Sequence, residues 1–249
     1  MKTRRDFLYF SGLMALGLTT RQASAAIGVT ERVRTAESTI AKRIATTKAV
    51  SAEFVLASLG ADMGPVETRI AIFELVRRVP YKLTSWTGDP MSLFSLQRGD
   101  CRHKAAAANQ LLRKSSFRSD QRIVTFDWAD LPIPAEILAL LTDTRSFHDT
   151  VYVDIDGRQT LFDATWDPAL GLAGFPITDA WDGKTSTAAI TAGKTQIVRQ
   201  GEIPKGSNIY ERYGVKWPNR ERTLAFNRSF NAWSDKVRAR GPGVKAAAQ

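Results

Sequence analysis

The sequence predicts an α+β fold in which one alanine-rich helix packs on an antiparallel sheet. Three observations predict it. Asp100 to Lys114 holds four consecutive alanines, two leucines and a basic end, all of which favour helix. Thr150 to Phe162 alternates, is rich in β-branched residues, and is broken by Asp156-Gly157, a strong two-residue hairpin signal. Glu67 to Val79 reads as a second helix, with Ile70, Ile72, Phe73, Leu75, Val76 and Val79 as its apolar side.

In chain order, residues 1–25 read as a twin-arginine-type signal peptide. Arg4-Arg5 precede an apolar stretch from Phe7 to Leu18, and Ala23-Ser24-Ala25 resembles a cleavage site. That run is too short for an ordinary membrane span of roughly 20 residues. A mature chain without a transmembrane segment is therefore expected in the bacterial periplasm or outside the cell. Residues 26–66 are expected to form a helical N-terminal extension, amphipathic in parts between Thr30 and Leu59. Residues 67–180 are expected to form the core domain. Within it, Gln121 to Phe126 suggests a strand, and Trp128 to Thr144, with Pro132 and Pro134, suggests a local insertion with a helical piece from Ala135 to Leu141. Asp167 to Gly193 is rich in turn residues and reads as loop. Residues 181–249 are expected to supply loop and a basic helix, Asn219 to Arg240, stopped by Gly241-Pro242-Gly243 and followed by a disordered tail.

The candidate chemistry rests on three residues. Cys101 is the single cysteine of the chain, and His148 is one of two histidines. Gly99 permits an unusual turn and Asp100 is a good N-cap, so Cys101 falls in the first turn of the alanine-rich helix. Free backbone N–H groups and the positive helix end there favour thiolate and could hold an oxyanion. Cys101, Ala105, Ala108 and Leu112 share one face. With Asp156-Gly157 as the turn, cross-strand partners have numbers summing to about 313, by the hairpin rule. Val151 then pairs with Phe162 and Val153 with Thr160. His148 and Asp163 become diagonal neighbours on the other face, roughly 7–8 Å apart at Cα and within side-chain reach. Parity puts Asp149 on the face opposite His148. A carboxylate beside the imidazole would fix its tautomer. His103, two places after Cys101, reads as structural.

Together Gly99-Asp100-Cys101, His148 leading into Val151-Tyr152-Val153, Gly157, and Asp163-Ala164-Thr165-Trp166 resemble the transglutaminase-like superfamily, with its papain-like arrangement. Val79-Pro80-Tyr81 resembles the family's segment before the nucleophile. The resemblance covers about Glu67 to Asp167. It implies a papain-like/transglutaminase-like core with Cys101, His148 and Asp163 as a catalytic triad. Two departures bear on substrate choice: Thr150 stands where the family often has an aromatic residue, and Trp128 to Thr144 forms a local insertion near the cleft. The relatives include peptidases, transamidases and members without catalysis.

Composition bounds the partners. The net charge is +10, with much of it between Lys205 and Lys245, where arginines interleave with Trp217, Phe226, Phe230 and Trp233. Such interleaving can bind nucleic acid. In an exported chain, aromatics packed on the core and solvated charges account for it better, with an anionic envelope component as a possible partner. No spacing resembles a metal site, and no phosphate-binding loop or dinucleotide fingerprint is present, so no metal and no cofactor are expected. One cysteine allows no internal disulfide. The resulting expectation is an exported cysteine-dependent acyl-transfer enzyme acting on amide bonds of a protein or peptide. The alternative is a non-catalytic binding or scaffold protein that retains the fold. An arylamine-type acetyltransferase also uses Cys, His and Asp, but Asp163 to Asp167 fits the transglutaminase-like pattern better.

Overall fold

The structure, a computed structural model, describes residues 28–199 and 208–240. The export signal and its cleavage motif lie outside the described residues, as do the glycine-proline stop and the tail.

Helix α1 (residues 28–47) leads into α2 (Ala52–Leu59), whose N-cap Ser51 accepts from the Phe54 N–H at 3.2 Å. Helix α3 (Pro65–Arg78) starts at a proline, which needs no N–H partner in a first turn. A short α4 (Ser92–Ser95) precedes α5 (Cys101–Lys114), the alanine-rich helix. Then come β1 (Ser119–Asp127), a single 3₁₀ turn, α6 (Ala135–Leu138), β2 (Arg145–Ile155), β3 (Arg158–Phe162) and α7 (Pro168–Gly171). A two-residue β4 (Gln196–Ile197), α8 (Ile209–Arg212) and α9 (Arg220–Ala239) complete the order. The strands form one antiparallel sheet in the order β3-β2-β1-β4.

The hairpin has the register expected from its turn, with Val151 opposite Phe162 and Val153 opposite Thr160. Asp156 and Gly157 have φ of +52° and +78°. Positive φ at both central residues lets the turn follow the right-handed twist of its strands.

The buried side of β2 changes partway along. Ser146, His148 and Thr150 are buried, and then Val151, Val153 and Ile155. Two apolar clusters produce this. The first joins α1, α2, α3 and α5 to Val151, Val153, Ile155 and Phe162. The second is largely aromatic: Tyr81, Phe126, Trp128, Trp166, Phe226 and Phe230. The ring centroids of Tyr81 and Trp166 are 4.6 Å apart, and those of Trp128 and Phe226 are 5.3 Å apart. The curled sheet thus carries one core on each side, and His148 sits where β2 passes between them. Of the predicted helix face, Ala105, Ala108 and Leu112 enter the first cluster, while Cys101 packs against the second.

The basic helix α9 is built into the second cluster through Phe226 and Phe230. Not all its charges are solvated. Arg238 donates to both oxygens of Asp167, at 2.7 and 3.3 Å, and to the Tyr81 carbonyl at 2.8 Å. Asp167 Oδ2 also accepts from the Tyr81 N–H at 2.9 Å. Arg222 donates to the Leu140 and Ala139 carbonyls at 3.0 and 2.7 Å. Among the described residues no helix is long and apolar enough to cross a membrane.

Candidate active site

Cys101 opens α5, as its sequence position predicts. Asp100 is the N-cap, its Oδ1 accepting from the backbone N–H groups of Arg102 at 3.1 Å and His103 at 3.4 Å. Gly99 serves differently from the expectation. It has no positive φ and supplies no unusual turn. It is required by packing: a Cβ there would lie 2.6 Å from the His103 Cβ and 2.9 Å from a Leu93 methyl. Gly99 also forms a parallel bridge with Tyr81, its N–H donating to the Pro80 carbonyl and its own carbonyl accepting from the Lys82 N–H. Glycine therefore lets the strand-like segment before the nucleophile lie flat against the helix start.

His103 is fully buried, its ring edge-on to Trp86 with centroids 4.9 Å apart. Its Nδ1 lies 2.7 Å from Asp100 Oδ1. Burial acts to raise the Asp100 carboxyl, but hydrogen bonds from His103 and Arg102 outweigh it and hold the group below the usual range. An ionised Asp100 makes His103 Nδ1 the donor. This pair braces the helix start.

The structure brings His148 and Asp163 together. His148 Nε2 lies 2.7 Å from Asp163 Oδ2, and the same oxygen accepts from the Thr150 hydroxyl at 3.1 Å. Asp163 Oδ1 accepts from the Thr165 N–H at 3.0 Å. Burial works to raise the Asp163 carboxyl, but the imidazole charge and the hydrogen bonds from His148 and Thr165 prevail and hold it low. The ionised acid makes His148 Nε2 the protonated nitrogen and leaves Nδ1 as the basic one.

Cys101 is placed against the next residue of the strand. Burial pushes its thiol well up, and the carboxylates of Asp100 and Asp149 add to this; the Asp149 backbone N–H and the Arg102 guanidinium oppose it. Against the thiolate expected at the helix start, burial and the Asp100 and Asp149 carboxylates favour the neutral thiol in the resting state. Among the described residues, no hydrogen bond joins the thiol to His148. Asp149 Oδ1 accepts from Gln121 Nε2 at 2.8 Å, across the strand pair and away from the His148–Asp163 pair. Asp167 holds α9, as described above. No group of three His, Cys, Asp or Glu that could hold a metal ion occurs among the described residues.

Sequence reasoning passed over two residues near the site. Tyr210 on α8 packs on Phe147 with ring centroids 5.0 Å apart, and the Cys101 and Asp149 charges help burial to raise its phenol. Lys104 is fully buried beneath the helix start. Burial lowers its amine to about 7; Asp167 and Asp163 oppose this and Arg238 and Arg77 reinforce it. A lowered lysine pKa penalises the folded state below the folded pKa, and rising pH relieves the penalty. Between about pH 7 and 8.5 the unfolded chain keeps this proton while the folded chain sheds it. Stability should rise by about 1–2 kcal/mol across that window. Urea unfolding at both ends measures the rise, and Lys104→Met should flatten it. An unchanged slope in that variant assigns the effect to another group.

Comparison with known proteins gives one likeness. No family model matches the chain, and no curated protein sequence matches it. A solved structure from Cytophaga hutchinsonii, described as a "putative cysteine protease", is similar at a TM-score of 0.33 and 17% identity, over 56% of this chain and 42% of that one. The match thus spans less than half of that protein. A likeness of this size assigns no chemistry to this chain.

Proposed function

We propose that this chain is an exported cysteine-dependent enzyme performing acyl transfer on amide bonds, on a papain-like/transglutaminase-like core. The observation that carries the reading is the buried His148–Asp163 pair, 2.7 Å apart, on the strand whose next residue packs against Cys101. Asp163 orients the imidazole and stabilises its charged form. His148 Nδ1 takes the thiol proton as Cys101 Sγ attacks the carbonyl carbon. The same proton then goes to the leaving amine. The Cys101 backbone N–H at the helix start would face the oxyanion. Since burial favours the neutral thiol, attack depends on base assistance at the moment of reaction rather than on a standing thiolate. Water as the second nucleophile gives a peptidase or amidase, and an amine gives a transamidase. The arginine pair and cleavage motif in residues 1–25 support a periplasmic or secreted setting, where an anionic envelope component could meet the basic C-terminal region.

The partly buried thiol, with no hydrogen bond to His148 among the described residues, favours the second reading, a binding or scaffold protein on the same fold. A thiol-directed activity probe on the native mature protein separates the two. Under the enzyme reading the probe labels Cys101, Cys101→Ala abolishes labelling, and His148→Ala slows it by about 10²-fold or more. Labelling that requires denaturant leaves Cys101 a buried core residue and removes the enzyme reading.

A further inference from the structure

Lys104 is the buried group that this reaction scheme leaves without a task. It stands on α5 one helical turn after Cys101 and is 1% exposed. Its Nζ donates to the Arg77 carbonyl at 3.0 Å and to the Ala164 carbonyl at 3.3 Å. The first carbonyl belongs to the last turn of α3, where carbonyls lack helical partners. The second belongs to the residue directly after Asp163.

An amine is an expensive way to fill buried space, since methionine fills nearly the same length without a charged group. What the amine adds is a link. The other bonds that hold Asp163 come from Thr150, from the Thr165 N–H, and from the Thr187 hydroxyl, which accepts from the Asp163 N–H at 2.8 Å. None of those three partners lies on α5. Lys104 joins the Asp163 peptide to the helix that carries the thiol. The charged groups that bear on Nζ come from the other elements packed there: Asp163 and Asp167 from the loop after β3, Arg77 from α3 and Arg238 from α9. Shedding its proton does not undo the link, because a neutral amine still has two N–H donors for two carbonyls.

We propose that Lys104 is a positioning residue: by tying the Ala164 carbonyl to the nucleophile helix, it sets the His148–Asp163 pair at its working distance from Cys101. This rests on the acyl-transfer reading given above.

The test uses the intact protein and Lys104→Met. The chain has two histidines, and each has one carboxylate partner, so two downfield ring N–H proton resonances are expected; His148→Gln assigns them. In Lys104→Met the His148 resonance should shift or broaden while that of His103 stays in place. Acylation of Cys101 by an activated ester should lose about 10²-fold in maximal rate, since small misplacements cost that much, with half-saturation unchanged. Lys104→Gln, which keeps an N–H donor, should recover part of the rate. A folded Lys104→Met protein with both readouts at wild-type values overturns the proposal. If that variant does not fold, the same measurements on Lys104→Gln decide, and loss of the fold in both makes Lys104 a stability residue and overturns it too. A wild-type protein that is never acylated, but whose His148 resonance still responds to Lys104→Met, removes the enzyme reading and keeps the positioning one.

Discussion

Asp163→Asn is expected to preserve the fold and to slow acylation of Cys101 by an activated ester by about 10³–10⁴-fold, the order seen when a triad acid becomes an amide. Asp163 uses both oxygens as acceptors: Oδ2 for His148 and Thr150, Oδ1 for the Thr165 N–H. An asparagine has one oxygen. If that oxygen faces His148, its NH₂ group meets the Thr165 N–H. If the NH₂ group faces His148, the imidazole must move its proton to Nδ1, and the base proposed for the thiol is lost. Asp149→Asn is the contrasting control. Its carboxylate accepts from Gln121 and its charge helps hold the thiol neutral, so the amide should leave acylation intact or speed it. Rates and melting temperatures for both variants check this. Loss in Asp149→Asn with none in Asp163→Asn would sink the orienting role of Asp163.

Asp167→Ala should destabilise the protein by about 3–5 kcal/mol, the cost of stranding one partner of a buried pair. At this chain length that lowers the melting temperature by roughly 10 °C. Arg238 is mostly buried and has no second carboxylate of comparable burial, its other acidic partner being the exposed Asp235. Removing Asp167 also strips the Tyr81 N–H of its acceptor. Thermal unfolding of Asp167→Ala and Arg238→Met measures the effect, and a change within 1 °C would show that the pair does not anchor α9. Both losses are assigned to folding, so probe labelling of the folded fraction should stay near the wild-type rate.

What could be read from the sequence was local. Asp156-Gly157 specified a turn, the turn specified a register, and the register put Asp163 beside His148. Asp100 announced a helix start by its chemistry, and Cys101 followed from it. Gly99 was located but misunderstood, because close packing and positive φ both ask for glycine and only neighbouring atoms tell them apart. The long-range parts left little trace. Strand β4 is two residues in a glycine- and threonine-rich stretch, too short for a period. Nothing in the neighbours of Lys104 along the chain marks it as buried, because its burial depends on two carbonyls 27 and 60 residues away. The thiol's surroundings were only partly legible: the helix end and the Asp100 carboxylate are its neighbours in sequence, whereas its burial and the Asp149 carboxylate come from distant parts of the chain.

The clasp between Arg238 and Tyr81 joins residues 157 positions apart. A chain made from its N-terminus has the hairpin, the nucleophile helix and the histidine long before it has α9. Until Phe226 and Phe230 emerge, Tyr81, Trp128 and Trp166 face water, and this half-built surface invites association with other chains. A ribosome stalled before Arg220 would hold a protein with every candidate catalytic residue and no completed second core. Completion of the second core therefore waits on the synthesis of Arg220–Ala239, and the thiol, which packs against that core, gains its finished surroundings only then.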